Sequence, residues 1–366
     1  MRDDALWRIM IAGGGTGGHL FPGIAIAEAF QKRAPQTEVL FVGTERGIER
    51  RVLPTLGYPL RTLDVEGIKG RGPRKVLGAL GKIPGSLSES FRILKEYSPR
   101  IVIGVGGYAS GPAVLAACLR GIPTAIAEQN AFPGVTNRIL GRFVKAVFLS
   151  FPDEGHWFPA QKVRVTGNPV RSSFRTADRK GMDVREDGRF TLLIFGGSQG
   201  AHAINRAAIE ALDDLKAIRH ELRILHQTGG KDRAFVAEAY DRHGFTADVR
   251  PFFEDMPAAY RRADLLICRA GATSVAEITA TGKASILIPF AQAVNDHQTR
   301  NAEVLVKAEA AMMIAEGDLS GRGLAGTIRF LHGRPDVVRS MENNAKKMGN
   351  WMAAEEIVAA CIALLH

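Results

Sequence analysis

Short apolar runs separated by helix-length patterns organise the first half of the sequence. This alternation is typical of βαβ units, in which parallel strands form a sheet that helices cover on both faces. The runs predicted to be strands are Arg8–Ala12, Glu38–Gly43, Ile101–Gly104, Thr124–Glu128 and Ala146–Leu149. The pattern therefore predicts an α/β fold with a parallel sheet.

The alternation breaks at residues 167–171 and begins again near residue 190. The segment 171–189 is charged and poor in apolar residues, so we predict a linker there. Beyond it we predict strands at Phe190–Phe195, Arg223–His226, Asp248–Pro251, Leu265–Cys268 and Ser285–Pro289, and helices at Pro257–Arg262 and Ser274–Thr281. A chain of 366 residues with this break is expected to form two domains.

The first predicted strand runs into a glycine-dense turn at residues 13–18 and then into the helical pattern Gly23–Phe30. Glycine permits positive φ and a close backbone approach to a ligand, and the N–H groups at a helix start favour a phosphate. The spacing fits the dinucleotide fingerprint, although an ordinary tight turn uses the same residues. His19 places a titratable group at this turn, which favours a functional site.

Two further glycine turns follow predicted strands. The segment Ile101–Pro112 passes through one of them into a helix, which we expect the hydroxyl of Ser110 to cap. The other turn, at residues 196–201, opens a helix in the second half. The segment Glu128-Gln129-Asn130 ends a strand at the carboxyl edge of the sheet, where open α/β sheets bind ligands. A simple polar loop is the alternative there.

Another strand-to-helix turn, Arg269–Glu277, concentrates the chemistry of the second half. It turns on Gly271, and we expect the hydroxyls of Thr273 and Ser274 to cap the helix that follows. The start of such a helix stabilises a pyrophosphate without a metal, and Glu277 about one turn along can accept both hydroxyls of a ribose. The alternative is a capping box formed by Ser274 and Glu277.

The loop after the last predicted strand is rich in amides, with a histidine among them. This combination suits a sugar, because amides and imidazole both donate and accept hydrogen bonds. The polar residues of this loop are Gln292, Asn295, Asp296, His297, Gln298 and Asn301.

The formal net charge of +10 fits nucleic acid, an anionic membrane surface or a phosphorylated substrate as partner. No nucleic-acid motif is present, and the basic residues are spread along the chain except between Gly67 and Leu94. There, basic and apolar residues alternate: Lys69, Arg71, Arg74, Lys75 and Lys82 with Val76, Leu77, Leu80 and Ile83. This mixture predicts a surface that rests on anionic lipid headgroups, and a solvated loop before an amphipathic helix is the alternative.

Other classes of protein are disfavoured. No apolar run approaches the roughly 20 residues that span a bilayer, and Asp3 and Asp4 do not suit a signal peptide, so we expect a cytosolic chain. Cys118, Cys268 and Cys361 are widely spaced in apolar surroundings. They predict buried thiols, with no disulfide framework, no metal and no redox cofactor.

Six motifs, in this order, resemble those of the MurG family of glycosyltransferases over nearly the whole chain. They are residues 14–19, 106–112, 128–130, 167–171, 196–201 and 271–277. The resemblance implies a GT-B fold, in which two Rossmann-like domains with parallel sheets face each other across a cleft. It implies an acceptor- and membrane-facing domain of residues 1–170 with 349–366, the latter a helix that crosses back, and a UDP-sugar domain of residues 171–348.

The activity that the resemblance implies is inverting transfer of N-acetylglucosamine from UDP-N-acetylglucosamine in peptidoglycan synthesis. The acceptor is the 4-hydroxyl of N-acetylmuramyl-pentapeptide pyrophosphoryl-undecaprenol (lipid I), and the product is lipid II. The implied location is the cytoplasmic face of the inner membrane, as a peripheral protein with an anionic membrane surface and cell-wall synthesis proteins as partners. No nucleic acid is expected to bind.

By position, the resemblance also implies the substrate-binding residues. They are Thr16, Gly17, Gly18, Asn130, Arg171, Ser198, Phe252, Phe253, Ala272, Thr273, Ser274, Val275, Ala276, Glu277, Gln298 and Asn301, with the two phenylalanines at the uracil. Two positions depart from the family. Ala127 replaces a histidine before Glu128, and Ser274 replaces a threonine.

The inferred mechanism is general-base catalysis, with His19 or Glu128 taking the proton of the attacking hydroxyl. Ser198 and the helix start at Ser274 hold the charge of the leaving UDP, so no metal is required. A related lipid glycosyltransferase, such as one acting on diacylglycerol, is the main alternative. A nicotinamide dehydrogenase would use Glu45, and a basic membrane or nucleic-acid binder would explain only the charge.

Overall fold

A computed structural model of the protein describes residues 7–45, 47–65, 82–179, 188–293 and 296–365. The chain divides into two compact units, Met1–Arg171 with Asn350–His366 and Ser172–Gly349. Each unit contains its own parallel sheet and its own hydrophobic core.

The sheet of the first unit has seven parallel strands. These are β1 (Arg8–Ala12), β2 (Glu38–Thr44), β3 (Leu60–Leu63), β4 (Ile101–Gly104), β5 (Thr124–Glu128), β6 (Ala146–Leu149) and β7 (Val163–Val165). Their order is β3-β2-β1-β4-β5-β6-β7, so the direction of strand addition reverses between β1 and β4. These two strands end side by side, because Ala12 pairs with Gly104. Such a switch point is where open α/β sheets bind their ligands.

The sheet of the second unit repeats this arrangement with six strands. These are β8 (Phe190–Phe195), β9 (Leu222–Gln227), β10 (Ala247–Arg250), β11 (Leu265–Cys268), β12 (Ala284–Leu287) and β13 (Met312–Met313). Their order is β10-β9-β8-β11-β12-β13. The switch point lies between β8 and β11, which end together at Phe195 and Cys268.

Helices flank both sheets. In chain order they are α1 (Gly17–Arg33), α2 (Glu49–Thr55), α3 (Ile83–Tyr97), α4 (Ser110–Leu119), α5 (Val135–Leu140), α6 (Ser172–Arg179), α7 (His202–Glu210), α8 (Leu212–Leu215), α9 (Arg233–His243), α10 (Met256–Arg262), α11 (Ala272–Thr281), α12 (His297–Lys307), α13 (Gly321–His332), α14 (Pro335–Met348) and α15 (Ala353–Ala363). The last helix returns to the first unit, where Ile357 and Cys361 share a core with Ile24 and Phe30 of α1. Within the described ranges, no helix is both long and apolar enough to cross a bilayer.

The predicted α/β fold with two Rossmann-like parallel sheets is confirmed, and every predicted strand lies within two residues of an observed one. The sequence pattern missed β3, β7 and β13. Each is a short edge strand that pairs on one side only. An edge strand needs no continuous apolar run, so it leaves a weaker signal than a central one.

Two predicted boundaries were wrong. The first helix begins at Gly17, not Gly23, because the glycine turn passes directly into helix with Thr16 as the N-cap. Part of the predicted linker at 171–189 is helix α6. Phe174 is buried there with its ring 5.2 Å from that of Tyr260, so this segment belongs to the core of the second unit.

Candidate active site

The glycine turns after β1 and β4 pack backbone against backbone at the switch point of the first unit. A Cβ on Gly13 would lie 2.4 Å from the carbonyl oxygen of Gly106. One on Gly107 would lie 2.4 Å from the carbonyl oxygen of Gly14. Both distances are far inside van der Waals contact, so only glycine allows the turns to approach this closely. The two turns therefore form one continuous backbone surface.

His19 lies in the first turn of α1, partly exposed, against the second glycine turn. A Cβ on Gly106 would lie 2.6 Å from Cδ2 and 3.0 Å from Nε2 of the imidazole, so the missing side chain makes room for the ring. The hydroxyl of Thr16 lies 3.4 Å from Nδ1. The structure thus brings together the predicted Thr16, the predicted histidine and both turns.

Glu128 is buried, 4% exposed, and its carboxylate accepts four hydrogen bonds from the loop that follows it and from the start of α5. Oε1 accepts from the backbone N–H of Asn130 at 3.1 Å and from its side-chain amide at 3.3 Å. Oε2 accepts from the backbone of Gly134 at 3.0 Å and from the amide of Asn137 at 2.9 Å. A carboxylate has about four acceptor positions, so this one is occupied in holding residues 130–137.

Arg171 stacks on an aromatic ring at the start of α1. Its guanidinium carbon lies 4.0 Å from the ring centroid of Phe21, a cation–π contact. A Cβ on Gly17 would lie 2.8 Å from the same ring, so this glycine lets the ring lie across the helix start. Phe21 therefore holds the cationic group near the first glycine turn. Nothing in the sequence pattern pointed to Phe21, because its partner lies 150 positions away.

The prediction that Ser110 caps α4 was wrong. The N-cap is Ala109, and Ser110 is the first helical residue, fully buried. The side chain of Ser110 points inward, and a Cβ on Gly104 would lie 2.5 Å from the Ser110 hydroxyl oxygen. The hydroxyl thus packs against the end of β4.

In the second unit, the third glycine turn carries Ser198 and packs against the turn after β9. A Cβ on Gly200 would lie 1.9 Å from the carbonyl oxygen of Thr228. Gln227, at the end of β9, donates to the carbonyl of Gly197 at 2.9 Å and accepts from the backbone N–H of Phe253 at 2.8 Å. This buried amide therefore sets the spacing between the Ser198 turn and the Phe252–Phe253 segment.

The fourth turn, after β11, begins helix α11 at Ala272 with Gly271 as N-cap. The predicted hydroxyl caps, and the alternative capping box, were wrong. Because Gly271 already holds the extended N-cap conformation, with φ −64° and ψ 143°, Thr273 and Ser274 are the second and third helical residues. Ala272, Val275 and Ala276 are buried in the same helix.

Glu277 is also buried, at 6% exposed, beneath the start of α11. The hydroxyl of Tyr260 lies 3.5 Å from Oε2. Burial raises the pKa of the Cys268 thiol, and the negative charge of Glu277 raises it further. The carboxylate therefore lies close to the carboxyl end of β11, at the switch point of this unit.

An ion pair fixes the loop after β12. Arg269 donates to the carbonyl oxygens of Ile288 and Pro289, each at 3.2 Å, and pairs with Glu316. The other oxygen of Glu316 accepts from the backbone of Ala291 at 2.9 Å. Burial would raise the pKa of Glu316, but the hydrogen bonds from Ala291 and Arg269 outweigh it and keep that pKa below its usual value. The pairing of these two residues was not predicted, since they lie 47 positions apart.

The predicted sugar-loop residues take different positions. Gln298 is partly exposed and accepts from the backbone of Phe290 at 3.0 Å. Asn301 is fully buried and donates to the carbonyl oxygen of Ala270 at 3.1 Å, so it supports the turn before α11. Asn295 lies outside the described residues.

Both halves of the chain match known glycosyltransferase domains. Residues 9–149 match the glycosyltransferase family 28 N-terminal domain, and residues 191–357 match the glycosyltransferase family 28 C-terminal domain. The chain belongs to glycosyltransferase family 28. The two domain matches contain the four turns described above.

Relatives of known name cover nearly the full chain. A protein of Syntrophus aciditrophicus is 58% identical, covering 98% of this chain and 99% of its own length, and one of Myxococcus xanthus is 50% identical, covering 98% and 94%. Both are named UDP-N-acetylglucosamine--N-acetylmuramyl-(pentapeptide) pyrophosphoryl-undecaprenol N-acetylglucosamine transferase. A crystal structure of Acinetobacter baumannii MurG matches with a TM-score of 0.76 and 32% identity, covering 98% of this chain and 99% of that one. The resemblance to MurG is confirmed.

A buried histidine in the C-terminal family 28 domain makes stability depend on pH. His226 lies 2.8 Å from the hydroxyl of Tyr240 and 3.1 Å from the amide oxygen of Asn205. Burial lowers the pKa of His226 to about 3, which the charge of Asp232 offsets only in part. An unfolded histidine titrates near 6.5, so the unfolded chain binds a proton that the folded chain does not.

We therefore expect the free energy of unfolding to fall as pH drops below about 6.5, by up to about 1.4 kcal/mol per pH unit from this group. Urea unfolding at pH 7 and pH 5 measures the change. His226→Gln should flatten the slope, whereas His220→Gln, at an exposed position, should not. Equal slopes in the two variants would assign the pH dependence to other groups.

Proposed function

We infer that this chain transfers N-acetylglucosamine from UDP-N-acetylglucosamine to N-acetylmuramyl-(pentapeptide) pyrophosphoryl-undecaprenol, the reaction in the names of its relatives. It is an inverting hexosyltransferase of peptidoglycan synthesis, which converts lipid I to lipid II. The observation that carries this inference is identity of 58% over 359 residues, spanning both family 28 domains and every turn of the candidate site.

The second unit is the donor side in this proposal. Its two turns flank the switch point between β8 and β11, where doubly wound sheets bind nucleotides. The pyrophosphate binds at Ser198 and at the start of α11, whose N–H groups favour negative charge. Glu277 accepts the ribose hydroxyls, Phe252 and Phe253 hold the uracil, and Gln298 contacts the sugar. Asn301 acts through the turn that it supports.

The first unit supplies the base in this proposal. His19 is partly exposed and beside the Thr16 hydroxyl, whereas the acceptor positions of Glu128 are occupied by its loop. The imidazole takes the proton of the 4-hydroxyl as that oxygen bonds to the anomeric carbon. The bond from that carbon to the phosphate oxygen breaks, and UDP leaves with the electron pair. A single displacement of this kind inverts the anomeric centre.

Transfer of radiolabel tests the function. The protein is incubated with labelled UDP-N-acetylglucosamine and a lipid I analogue, with diacylglycerol as a parallel acceptor. We expect a labelled lipid product from the muramyl acceptor only, with a β linkage. Label on diacylglycerol, or release of free sugar alone, would contradict the proposal.

The proposal also places the chain on the cytoplasmic face of the inner membrane, bound to an anionic surface. The basic and apolar residues predicted for this role between 66 and 81 lie outside the described residues. Support from the described residues comes from the end of α5 and the residues just after it. Ile139 and Phe143 are 56% and 57% exposed, beside the exposed side chains of Arg142 and Lys145. Apolar side chains next to basic ones suit an interface with anionic lipid.

We expect the double change Ile139→Ser and Phe143→Ser to lower sedimentation with anionic vesicles by at least about tenfold. The reason is that burying one such side chain contributes about 1.5–3 kcal/mol. The triple change Leu77→Ser, Leu80→Ser and Ile83→Ser tests the sequence prediction in the same assay.

Turnover of a water-soluble acceptor should persist in both the double and the triple variant. The matched control is Phe235→Ser, an exposed phenylalanine of the second unit. Vesicle binding equal to the parent in both variants would remove the membrane assignment.

A further inference from the structure

Glu49 is a fully buried carboxylate, 0% exposed, that neither the sequence prediction nor the proposed mechanism uses. It is the first residue of α2, which follows β2. Oε2 accepts from the backbone N–H of Gly15 at 2.8 Å. Oε1 accepts from the backbone N–H of Thr44 at 2.8 Å and from its hydroxyl at 2.9 Å. Glu49 therefore joins the first glycine turn to the end of β2.

The space around this carboxylate is made by glycines from two segments, the first glycine turn and the stretch from the end of β2 to α2. A Cβ on Gly14 would lie 2.6 Å from the carboxyl carbon of Glu49, and one on Gly43 would lie 2.8 Å from Oε1. A Cβ on Gly47 would lie 2.0 Å from Oε2. Since any side chain at these positions would displace the carboxylate, the fold leaves room for this one group.

The three partners of the carboxylate are all donors, which makes an acceptor-only group necessary. A glutamine amide has one accepting and one donating end. In either orientation its NH₂ group would face a backbone N–H, that of Gly15 or that of Thr44. No lysine or arginine in the described ranges lies within ion-pair distance of Glu49. Among the described residues, the carboxylate is therefore held by two backbone N–H groups and one hydroxyl, and one of these N–H groups comes from the turn that carries His19.

We propose that Glu49 is a positioning residue for the transferase reaction, an inference that rests on the proposed function. By accepting the N–H of Gly15, it fixes the turn immediately before Thr16, the N-cap of α1. Thr16 in turn contacts the imidazole of His19. The same turn packs on the second glycine turn through Gly14. Glu49 thus sets the conformation from which His19 meets the acceptor.

The test is Glu49→Gln, with Glu45→Gln as the matched control. Glu45 is an exposed carboxylate in the loop before α2, four positions away. We expect Glu49→Gln to lower kcat/KM for the acceptor roughly 10- to 100-fold, the usual effect of displacing a catalytic group by about 1 Å. The Kd for UDP, which the second unit binds in this proposal, should match that of the control. A merely structural role would instead lower kcat/KM and weaken UDP binding together.

A second variant covers the case in which Glu49→Gln does not fold. Thr44→Val keeps the backbone donor and removes the hydroxyl donor, and Thr44→Ser restores it. We expect a loss of several-fold in kcat for Thr44→Val with an unchanged Kd for UDP, and recovery in Thr44→Ser.

Parent-like acceptor kinetics in Glu49→Gln, or in Thr44→Val if the first variant is unfolded, would overturn the inference. Loss of UDP binding in step with kcat in a folded variant would do the same. Absence of transfer by the parent protein would instead contradict the proposed function, so the two failures are distinguishable.

Discussion

Replacing His19 with alanine is expected to lower kcat by about 10²–10⁴, the usual worth of a general base, with the Kd for UDP unchanged. The imidazole is partly exposed at the switch point of the first unit, whereas the nucleotide is proposed to bind the second. The change should therefore affect only the chemical step. Steady-state kinetics at saturating acceptor, with calorimetry for UDP, measure the two quantities.

The pH dependence of kcat distinguishes His19 from Glu128 as the general base. An imidazole base works only when neutral, so kcat should fall on the acidic side of its titration, and histidines ordinarily titrate near pH 6.5. His19→Ala should remove that acidic limb, and His220→Ala should leave it in place. A variant with parent-like kcat and the limb intact would move the base role to Glu128, despite the hydrogen bonds that its carboxylate accepts from its loop.

Glu277→Ala is expected to weaken UDP binding by about 2–3 kcal/mol, the usual loss for hydrogen bonds to a charged group. The carboxylate is buried at the carboxyl end of the second sheet, where we propose that it accepts both ribose hydroxyls. Calorimetric titration with UDP measures the change. Because these bonds form equally in the ground and transition states, kcat at saturating donor should stay near that of the parent.

Controls separate the role of Glu277 in binding from its role in packing. Glu303→Ala removes an exposed carboxylate from the same unit and should leave UDP affinity unchanged. Tyr260→Phe removes the hydroxyl that lies 3.5 Å from Glu277, and should have a smaller effect than Glu277→Ala. If Glu277→Ala has the same Tm as the parent protein and binds UDP with the same affinity, the placement of the ribose is wrong.

The sequence predicted the central strands and the glycine turns because their signals are local. Ile101–Gly104 and Leu265–Cys268 are buried on both faces, so each reads as a continuous apolar run. The glycines at 13–15 and 106–107 stand next to such runs, where a strand must turn sharply.

Local sequence patterns could not show which polar side chains form hydrogen bonds to the glycine turns. Glu49 bonds to Gly15 across 34 positions, and Gln227 bonds to Phe253 across 26. These partners meet only because parallel strands bring their carboxyl ends together. The same limit explains why the predicted helix N-caps were wrong. Ser110, Thr273 and Ser274 have suitable hydroxyls, but where each helix begins was set by the residue before them.

The central claim is that donor binding and proton removal are divided between the two units. It is tested most directly by the single-turnover transfer rate as a function of UDP-N-acetylglucosamine concentration, in His19→Ala and Glu277→Ala side by side. We predict that each variant loses one of the two properties and keeps the other. His19→Ala should keep the parent half-saturation concentration and lose its maximal rate, and Glu277→Ala should keep the maximal rate and need about 30- to 150-fold more donor. Loss of both properties together in either variant would contradict the division.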